Sequence, residues 1–399
     1  MRGRRDPQPS MFYALDVEQR IRRDHPLRSI KASADRILAG LSDRFDAAYS
    51  DTGRPGVPPE RLFKALLLLT LYSVRSERQL VERIDTDLLF RWFLDMSPEE
   101  PAFDATAFTH NRARLDRHGL TGAFFDAVLR EALTADLCSE HFSVDGTLIE
   151  SYASIKSVRP ISTPAAASPT PSTDASEPPP PPAAGPASDA NAFKSRNADV
   201  DFHGQKRSNA THRSQTDPEA RLYRKSNGQE TKLRHLGHTL SENRHGLIVG
   251  VAVTEANGTA EREAALDLID GFRALTGRDP VTLGMDKGYD AGELLLELEK
   301  RGIEPHAAMG KTPRALDSGP KDDRERVAAR HRLFARKGNE GYRLSQKCRK
   351  KVEEGFGWLK EVARLGRSRV SKRWKIRQMW EIGAAAYNLV RLRKLLPAT

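Results

Sequence analysis

The spacing of apolar and polar positions divides the chain into a helical first part and an alternating second part. Over residues 25–135 apolar side chains recur at three- and four-residue intervals, the period of helices that bury one face. Val57-Pro-Pro-Glu-Arg-Leu-Phe-Lys-Ala-Leu-Leu-Leu-Leu69 opens with prolines where a first helical turn tolerates them. Ser76-Glu-Arg-Gln79 has the capping-box pattern and predicts a helix from Glu77 to about Ile84. Leu88-Leu-Phe-Arg-Trp-Phe-Leu94 predicts a third helix, and Asp104 is placed to cap a fourth, Ala105 to Leu115. That fourth helix carries His110, Asn111, Arg112 and Arg114. Short helices joined by polar turns and ending in a basic one fit a helix-turn-helix-like DNA reader. A plain helical bundle with a solvated basic face has the same pattern.

After residue 136 the period changes. Apolar Phe142 and Val144 alternate with polar Ser143 and Asp145, which is strand spacing. Lys232 to Leu240 and Leu247 to Thr254 predict two more strands around the turn Asn243-Arg-His-Gly246. A helix over Ala260 to Leu275 leads to the strand Val281-Thr-Leu-Gly-Met-Asp286. Asp290-Ala-Gly-Glu293 has the capping-box pattern for a helix from Ala291 to Arg301, and Ile303 to Met309 fits a further strand. A polar, basic segment from Lys311 to Asn339 then precedes a helix from about Lys347 to Val362, and Lys375 to Leu395 forms a closing helix. The expected fold is α/β: a mixed sheet flanked by helices over residues 136–399, preceded by an all-α domain over residues 1–135. Within the second domain, residues 158–193 are rich in Pro and Ala, with consecutive prolines from Pro178 to Pro182. Such a stretch has little to bury and is expected to be a disordered insertion.

Charge narrows the partners. Lys and Arg number 65 against 54 Asp and Glu, a formal net charge of +11, which favours a polyanion and nucleic acid first. Cys138 and Cys348 are the only cysteines, too few for a disulfide framework or a zinc-ligand spacing, and they fit a reducing cytosol. The start, Met1-Arg-Gly-Arg-Arg-Asp6, lacks the apolar core of a secretory signal. The apolar run Ala65 to Leu69 is far below the ~20 residues a membrane span needs. The expectation is a soluble, cytoplasmic protein, nucleoid-associated when bound to DNA.

Three carboxylates carry the candidate chemistry. Asp145 and Asp286 each end an apolar stretch and are followed by a glycine-containing turn, Gly146 and Gly288. Functional groups gather where side chains converge at strand ends. Singly, each Asp equally fits a turn-capping role. In Arg349-Lys-Lys-Val-Glu-Glu-Gly-Phe-Gly-Trp-Leu-Lys360, helical spacing puts Arg349, Glu353 and Lys360 on one face. Alone, that helix fits an ordinary ladder of surface ion pairs. Three carboxylates together suit two Mg²⁺ ions, hard cations that prefer oxygen ligands. Such a pair, ~3.5–4 Å apart, activates an attacking oxygen and stabilises a leaving one in phosphodiester cleavage. Arg349 and Lys360 would then hold DNA phosphates. The histidines His203, His212, His235, His238 and His245 have no cysteine beside them and no ligand spacing on a strand, which argues against zinc. Asp217-Pro-Glu-Ala-Arg-Leu-Tyr-Arg-Lys225 interleaves an aromatic with cations, fitting nucleic-acid contact or a solvated basic loop.

Val144-Asp-Gly-Thr147, Met285-Asp-Lys-Gly-Tyr289 and Arg349-x-x-x-Glu353-x₆-Lys360 together resemble the three motifs of DDE transposases encoded by bacterial insertion sequences. Gly53-Arg-Pro-Gly-Val-Pro-Pro-Glu-Arg-Leu62 and Tyr72-Ser-Val-Arg-Ser-Glu-Arg-Gln-Leu80 resemble the helical domain of those enzymes, and Leu236 to Gly246 their second and third strands. The resemblance runs from about His25 to Leu396, interrupted by the insertion. It implies a ribonuclease-H-like fold with a metal triad of Asp145, Asp286 and Glu353. It further implies two Mg²⁺ ions, for which Mn²⁺ can substitute, and a homodimer in the synaptic complex. The activity it implies is cleavage and strand transfer of double-stranded DNA at terminal inverted repeats. Arg349, Lys360 and Tyr289 are expected at DNA phosphates, with Asn111, Arg112 and Arg114 contacting DNA from the first domain. One departure stands out. The family's signature helix often has Tyr three residues before its Arg, where this chain has Gln346, which hydrogen-bonds but does not stack on a base. Glu354 is the fallback for the third acid. A regulator descended from such an enzyme, or a nuclease that cleaves without joining, fits the same sequence.

Overall fold

A computed structural model describes residues 16–50, 52, 56–161, 200–202, 205–224, 230–315 and 323–396. The insertion expected at 158–193 lies almost wholly outside the described residues, as does His203.

Among the described residues, eight helices come first: α1 (Val17–Arg20), α2 (Leu27–Ala39), α3 (Ser42–Ala48), α4 (Pro59–Leu71), α5 (Glu77–Thr86), α6 (Leu88–Phe93), α7 (Thr106–Arg117) and α8 (Leu120–Thr134). Their starts follow from local chemistry. Pro59 occupies the first turn of α4, and Ser76 Oγ accepts from the Gln79 N–H at 3.1 Å to open α5. Asp87 caps α6, and the Asp104 carboxylate accepts from the Thr106 N–H at 2.7 Å ahead of α7.

The second part is a mixed sheet. Its central strands are β1 (His141–Glu150), β7 (Lys232–Glu242), β8 (Ile248–Glu255), β9 (Thr282–Met285) and β10 (Glu304–Ala307). Between β1 and β7 run the short strands β2 (Val158–Pro160), β3 (Val200–Phe202), β4 (Gln205–Arg207), β5 (His212–Ser214) and β6 (Arg221–Tyr223). β1 pairs antiparallel with β7, and β7 antiparallel with β8; β9 lies parallel to β1, and β10 parallel to β9. β6 adds to the other end of β7. Three antiparallel strands extended by two parallel to the first, with helices on the faces, is the ribonuclease-H-like arrangement expected. The β7–β8 turn is held by the buried Glu242, whose carboxylate accepts from the N–H groups of Arg244 at 2.8 Å and Leu247 at 3.1 Å.

The remaining helices are α9 (Ala260–Thr276), α10 (Gly292–Lys300), α11 (Arg324–Arg336), α12 (Glu340–Cys348), α13 (Lys351–Glu361) and α14 (Arg373–Leu395). α14 packs on β8 and also on α2, α4, α7 and α8, so one apolar core runs from the first helices into the sheet. Gly237 on β7 makes that docking possible. A Cβ there would stand 2.6 Å from the ring of Trp380, which is fully buried on α14.

Three local expectations need correction. The helix expected from Lys347 to Val362 is two helices meeting at Arg349 and Lys350, where hydrogen bonds tighten to Val352 N–H with Arg349 C=O and Glu353 N–H with Lys350 C=O. The junction falls where the Lys351 ammonium reaches the carbonyls of Asn243 at 2.8 Å and Arg244 at 2.7 Å on the β7–β8 turn. The polar segment from Lys311 to Asn339 contains α11, which buries only the thin stripe Val327, Ala329 and Leu333. Asp290 does not cap α10; Arg330 holds its carboxylate by two 2.8 Å bonds.

Candidate active site

Asp145 and Asp286 are brought together by the parallel pairing of β1 and β9. The register runs His141–Thr282, Phe142–Leu283, Ser143–Gly284, and continuing it sets Asp145 level with Asp286. β1 itself runs on to Glu150, so Asp145 is mid-strand rather than at a strand end. Along its other edge it pairs with Thr239 of β7, while β9 stops at Met285. Side chains beyond Met285 therefore stand where the sheet opens. Each carboxylate is anchored locally: Asp145 Oδ1 accepts from the Gly146 N–H at 2.8 Å, and Asp286 Oδ1 from the Gly288 N–H at 2.7 Å.

Arg349, at the junction of α12 and α13, reaches Asp145. Its guanidinium lies 3.7 Å from Asp145 Oδ2, while its Nε is buried without a hydrogen-bond partner. Tyr289, three residues after Asp286, feels the same charges. It is fully buried, its hydroxyl has no hydrogen-bond partner, and burial raises its pKa well above the ordinary phenol value. The charges of Glu261, Asp145 and Asp286 push in the same direction, and that of Arg349 opposes them. So placed, Tyr289 presents no hydroxyl to a phosphate in solvent, against the expectation that it contacts DNA.

Glu353 is exposed one turn beyond Arg349, on α13, which packs against β1 and β7. Among the described residues no three or more His, Cys, Asp or Glu side chains gather closely enough to hold an ion. The structure thus pairs the two aspartates and puts Glu353 on the helix beside them, but does not close the three into one cluster. Glu354 points elsewhere, bonded to Arg391 at 2.7 Å. Gln346 is tied to the ends of β9 and β10, its amide donating to the carbonyls of Met285 at 3.3 Å and His306. A phosphate contact from Gln346 would require breaking both.

Lys360 shares a face of α13 with Glu353, since a seven-residue offset returns near the start. It lines an open cleft with Arg75, Arg364, Arg367, Arg369 and Glu361. The cleft is built from both parts of the chain. Ser73 Oγ, in the turn before α5, donates to the Val362 carbonyl at 2.7 Å, and residues 366–368 pair with Glu150 of β1. Arg369 is half-buried, and burial lowers its pKa, with the charges of Arg364 and Arg112 adding to the effect.

The other basic candidates are engaged inside the fold. Arg112 is buried and paired with Glu77; Asn111 accepts from Arg114 at 2.8 Å and from Tyr49 at 3.0 Å. His235 and His238 are buried on β7, bonded to Asp217 at 2.8 Å and to Thr254 at 2.7 Å. The segment after Asp217 likewise packs inward. Asp217 is fully buried, and Leu222 belongs to a small apolar core.

Sequence reasoning passed over Glu261, in the first turn of α9, whose carboxylate stands beside both Gly146 and Gly288. A large cavity lined by Cys138, Phe142 and Cys348 opens at the opposite end of β1 and β9, away from the aspartates.

The mixed sheet and the paired aspartates fit an enzyme of the DDE class. The family model described as a transposase domain (DUF772) matches residues 15–114, and the one described as a transposase DDE domain matches residues 199–389. The two matches cover most of the chain, which belongs to the DDE transposases, proteins that act on DNA. No curated protein matches. A crystal structure of a pre-cleavage Mos1 transpososome aligns over 96% of this chain and 98% of that chain, at 13% identity and a TM-score of 0.20. Among the described residues no helix is long and apolar enough to cross a membrane.

Proposed function

We propose that this transposase cleaves and transfers DNA strands at the terminal inverted repeats of an insertion sequence, using divalent ions held by Asp145, Asp286 and Glu353. The observation that carries the reading is the levelling of Asp145 with Asp286 across the β1–β9 pair, with Arg349 3.7 Å from Asp145.

The residues fit such ions in two respects. The donors are carboxylate oxygens, the ligand type that Mg²⁺ and Mn²⁺ prefer. The site also concentrates negative charge around the partnerless, buried Tyr289 hydroxyl, with the cation Arg349 set against it. Two Mg²⁺ ions, once bound, would activate the attacking oxygen and stabilise the leaving one. The chain's own part is positioning. Asp145 and Asp286 are fixed by the Gly146 and Gly288 N–H groups, and Glu353 would supply the third carboxylate from α13. Arg349 exchanges Asp145 for a phosphate, and Lys360 and the arginines beside it hold the flanking backbone. Attack by water on the phosphorus releases a 3′-hydroxyl, and that hydroxyl then attacks a phosphorus in the target duplex and displaces its strand. A homodimer would present two such sites to the two transposon ends.

The test incubates end-sequence DNA and Mg²⁺ with wild type, Asp145→Asn, Asp286→Asn and Glu353→Gln. Each substitution removes an interaction worth several kcal/mol in the transition state, so cleavage should fall by more than about a hundredfold. DNA binding in chelator should persist. Any variant that keeps full cleavage leaves the metal set. Products that are cut but never joined would make the protein a nuclease.

A further inference from the structure

Glu261 stands in the first turn of α9. An acid there complements the helix dipole whichever way its side chain points, so its place on α9 assigns nothing. The position of its carboxylate does. A Cβ built on Gly146 would meet Glu261 Oε1 at 2.8 Å and Cγ at 3.0 Å. A Cβ built on Gly288 would meet Asp286 Oδ1 at 3.0 Å and Glu261 Oε2 at 3.5 Å. The carboxylate therefore occupies space left open by the two glycines that follow Asp145 and Asp286.

Neither glycine is demanded by its backbone. Among the described residues, the glycines with left-handed φ are Gly119, Gly246, Gly277 and Gly302, and Gly146 and Gly288 are not among them. What these two positions provide is room. A second observation is independent of the acids. The Tyr289 hydroxyl is fully buried, finds no hydrogen-bond partner, and sits within the fields of Glu261, Asp145 and Asp286. A buried polar atom without a partner, beside acidic side chains, is a second mark of a ligand site.

We propose that Glu261 is a further metal-binding carboxylate of this centre, acting with Asp145 and Asp286 on the same divalent ions. The proposal rests on the metal-dependent reading above. Glu261 comes from a helix that the three family motifs do not include, and it approaches the aspartates along the Gly146–Gly288 side. Arg349, by contrast, meets Asp145 from the α12–α13 junction.

The test is Mn²⁺ binding by the full chain without DNA, followed by electron paramagnetic resonance of the free ion, with cleavage measured in parallel. Glu261→Gln should weaken Mn²⁺ binding by roughly tenfold or more. Glu263→Gln, which removes the same charge from an exposed position in the same helical turn, should leave it unchanged. Gly146→Ala, whose methyl claims the carboxylate's space, should reproduce the Glu261→Gln loss with every acid still present. That variant also decides the matter should Glu261→Gln fail to fold. Wild-type Mn²⁺ affinity in Glu261→Gln, or equal losses in Glu261→Gln and Glu263→Gln, would overturn the proposal alone. If wild type and Asp145→Asn bind Mn²⁺ equally, the metal reading itself falls, and this proposal with it.

Discussion

Two groups of basic side chains differ in what the fold does with them. On α7, each basic candidate is already engaged. Arg112 is buried against Glu77, and Arg114 donates to Asn111 at 2.8 Å while its guanidinium lies 4.3 Å over the Tyr49 ring. In the cleft between the α4–α5 turn and the end of α13, the cations Arg75, Lys360, Arg364, Arg367 and Arg369 share one lining carboxylate, Glu361. Glu150 lies 3.9 Å from Arg367 but is also bridged by Lys232, and the charge of Glu77 reaches the half-buried Arg369. Both groups look alike as sequence. The difference lies in counter-charge: where the fold supplies one, the cation holds the fold together, and where cations outnumber acids, an external polyanion completes the site.

The sharpest break of that comparison is Arg112→Ala. Removing one partner of a largely buried ion pair leaves Glu77 uncompensated, which costs about 2–4 kcal/mol when the acid keeps partial access to water. Denaturant unfolding should show the loss, while the folded fraction binds DNA as wild type does. A variant of unchanged stability and weakened DNA binding would make α7 a DNA reader after all.

How far these roles can be read from sequence depends on the range of the forces that set them. β1 is legible because Phe142 and Val144 alternate with Ser143 and Asp145, and α5 because Ser76 and Gln79 satisfy each other's neighbourhood within one turn. The class of fold and the pairing of Asp145 with Asp286 follow from such local signals plus strand order. The division at Arg349 and Lys350 is not local. No glycine or proline marks it, and it coincides with Lys351 reaching carbonyls of a turn about a hundred positions earlier. Asp290 had the spacing of a cap, but Arg330, forty positions later, takes its carboxylate. Glu261 has the most ordinary disguise, an acid opening a helix. The glycines that give it room acquire meaning only once β1 and β9 lie side by side.

In the cleft the prediction runs the other way from Arg112. Arg367→Ala and Arg364→Gln remove exposed cations, of which Arg367 makes only a long, solvent-exposed pair with Glu150, so unfolding should be unaffected within about 0.5 kcal/mol. DNA affinity should fall instead, by roughly tenfold for the pair of substitutions. The slope of log K against log salt should become shallower by about 0.9 for each phosphate that the protein no longer neutralises. Lower stability with an unchanged salt slope would show that the cleft, like α7, is structural.

The smallest effect is the most discriminating, because Arg114 is the least buried member of its group and the one best able to serve both roles. Its position over Tyr49 and its bond to Asn111 are together worth about 0.5–1 kcal/mol at a partly exposed site. Arg114→Ala should lose that much stability and leave the salt slope of DNA binding where it was. Arg114→Lys separates the contributions further: an ammonium keeps the charge that a phosphate would feel, but loses the flat face that stacks on Tyr49. If Arg114 serves the fold, the lysine variant is destabilised nearly as much as the alanine one. If it serves DNA, the lysine variant keeps the salt slope and the alanine variant loses about one phosphate's share of it. Stability and salt slope together therefore assign Arg114 to one group or the other without reference to its position on α7.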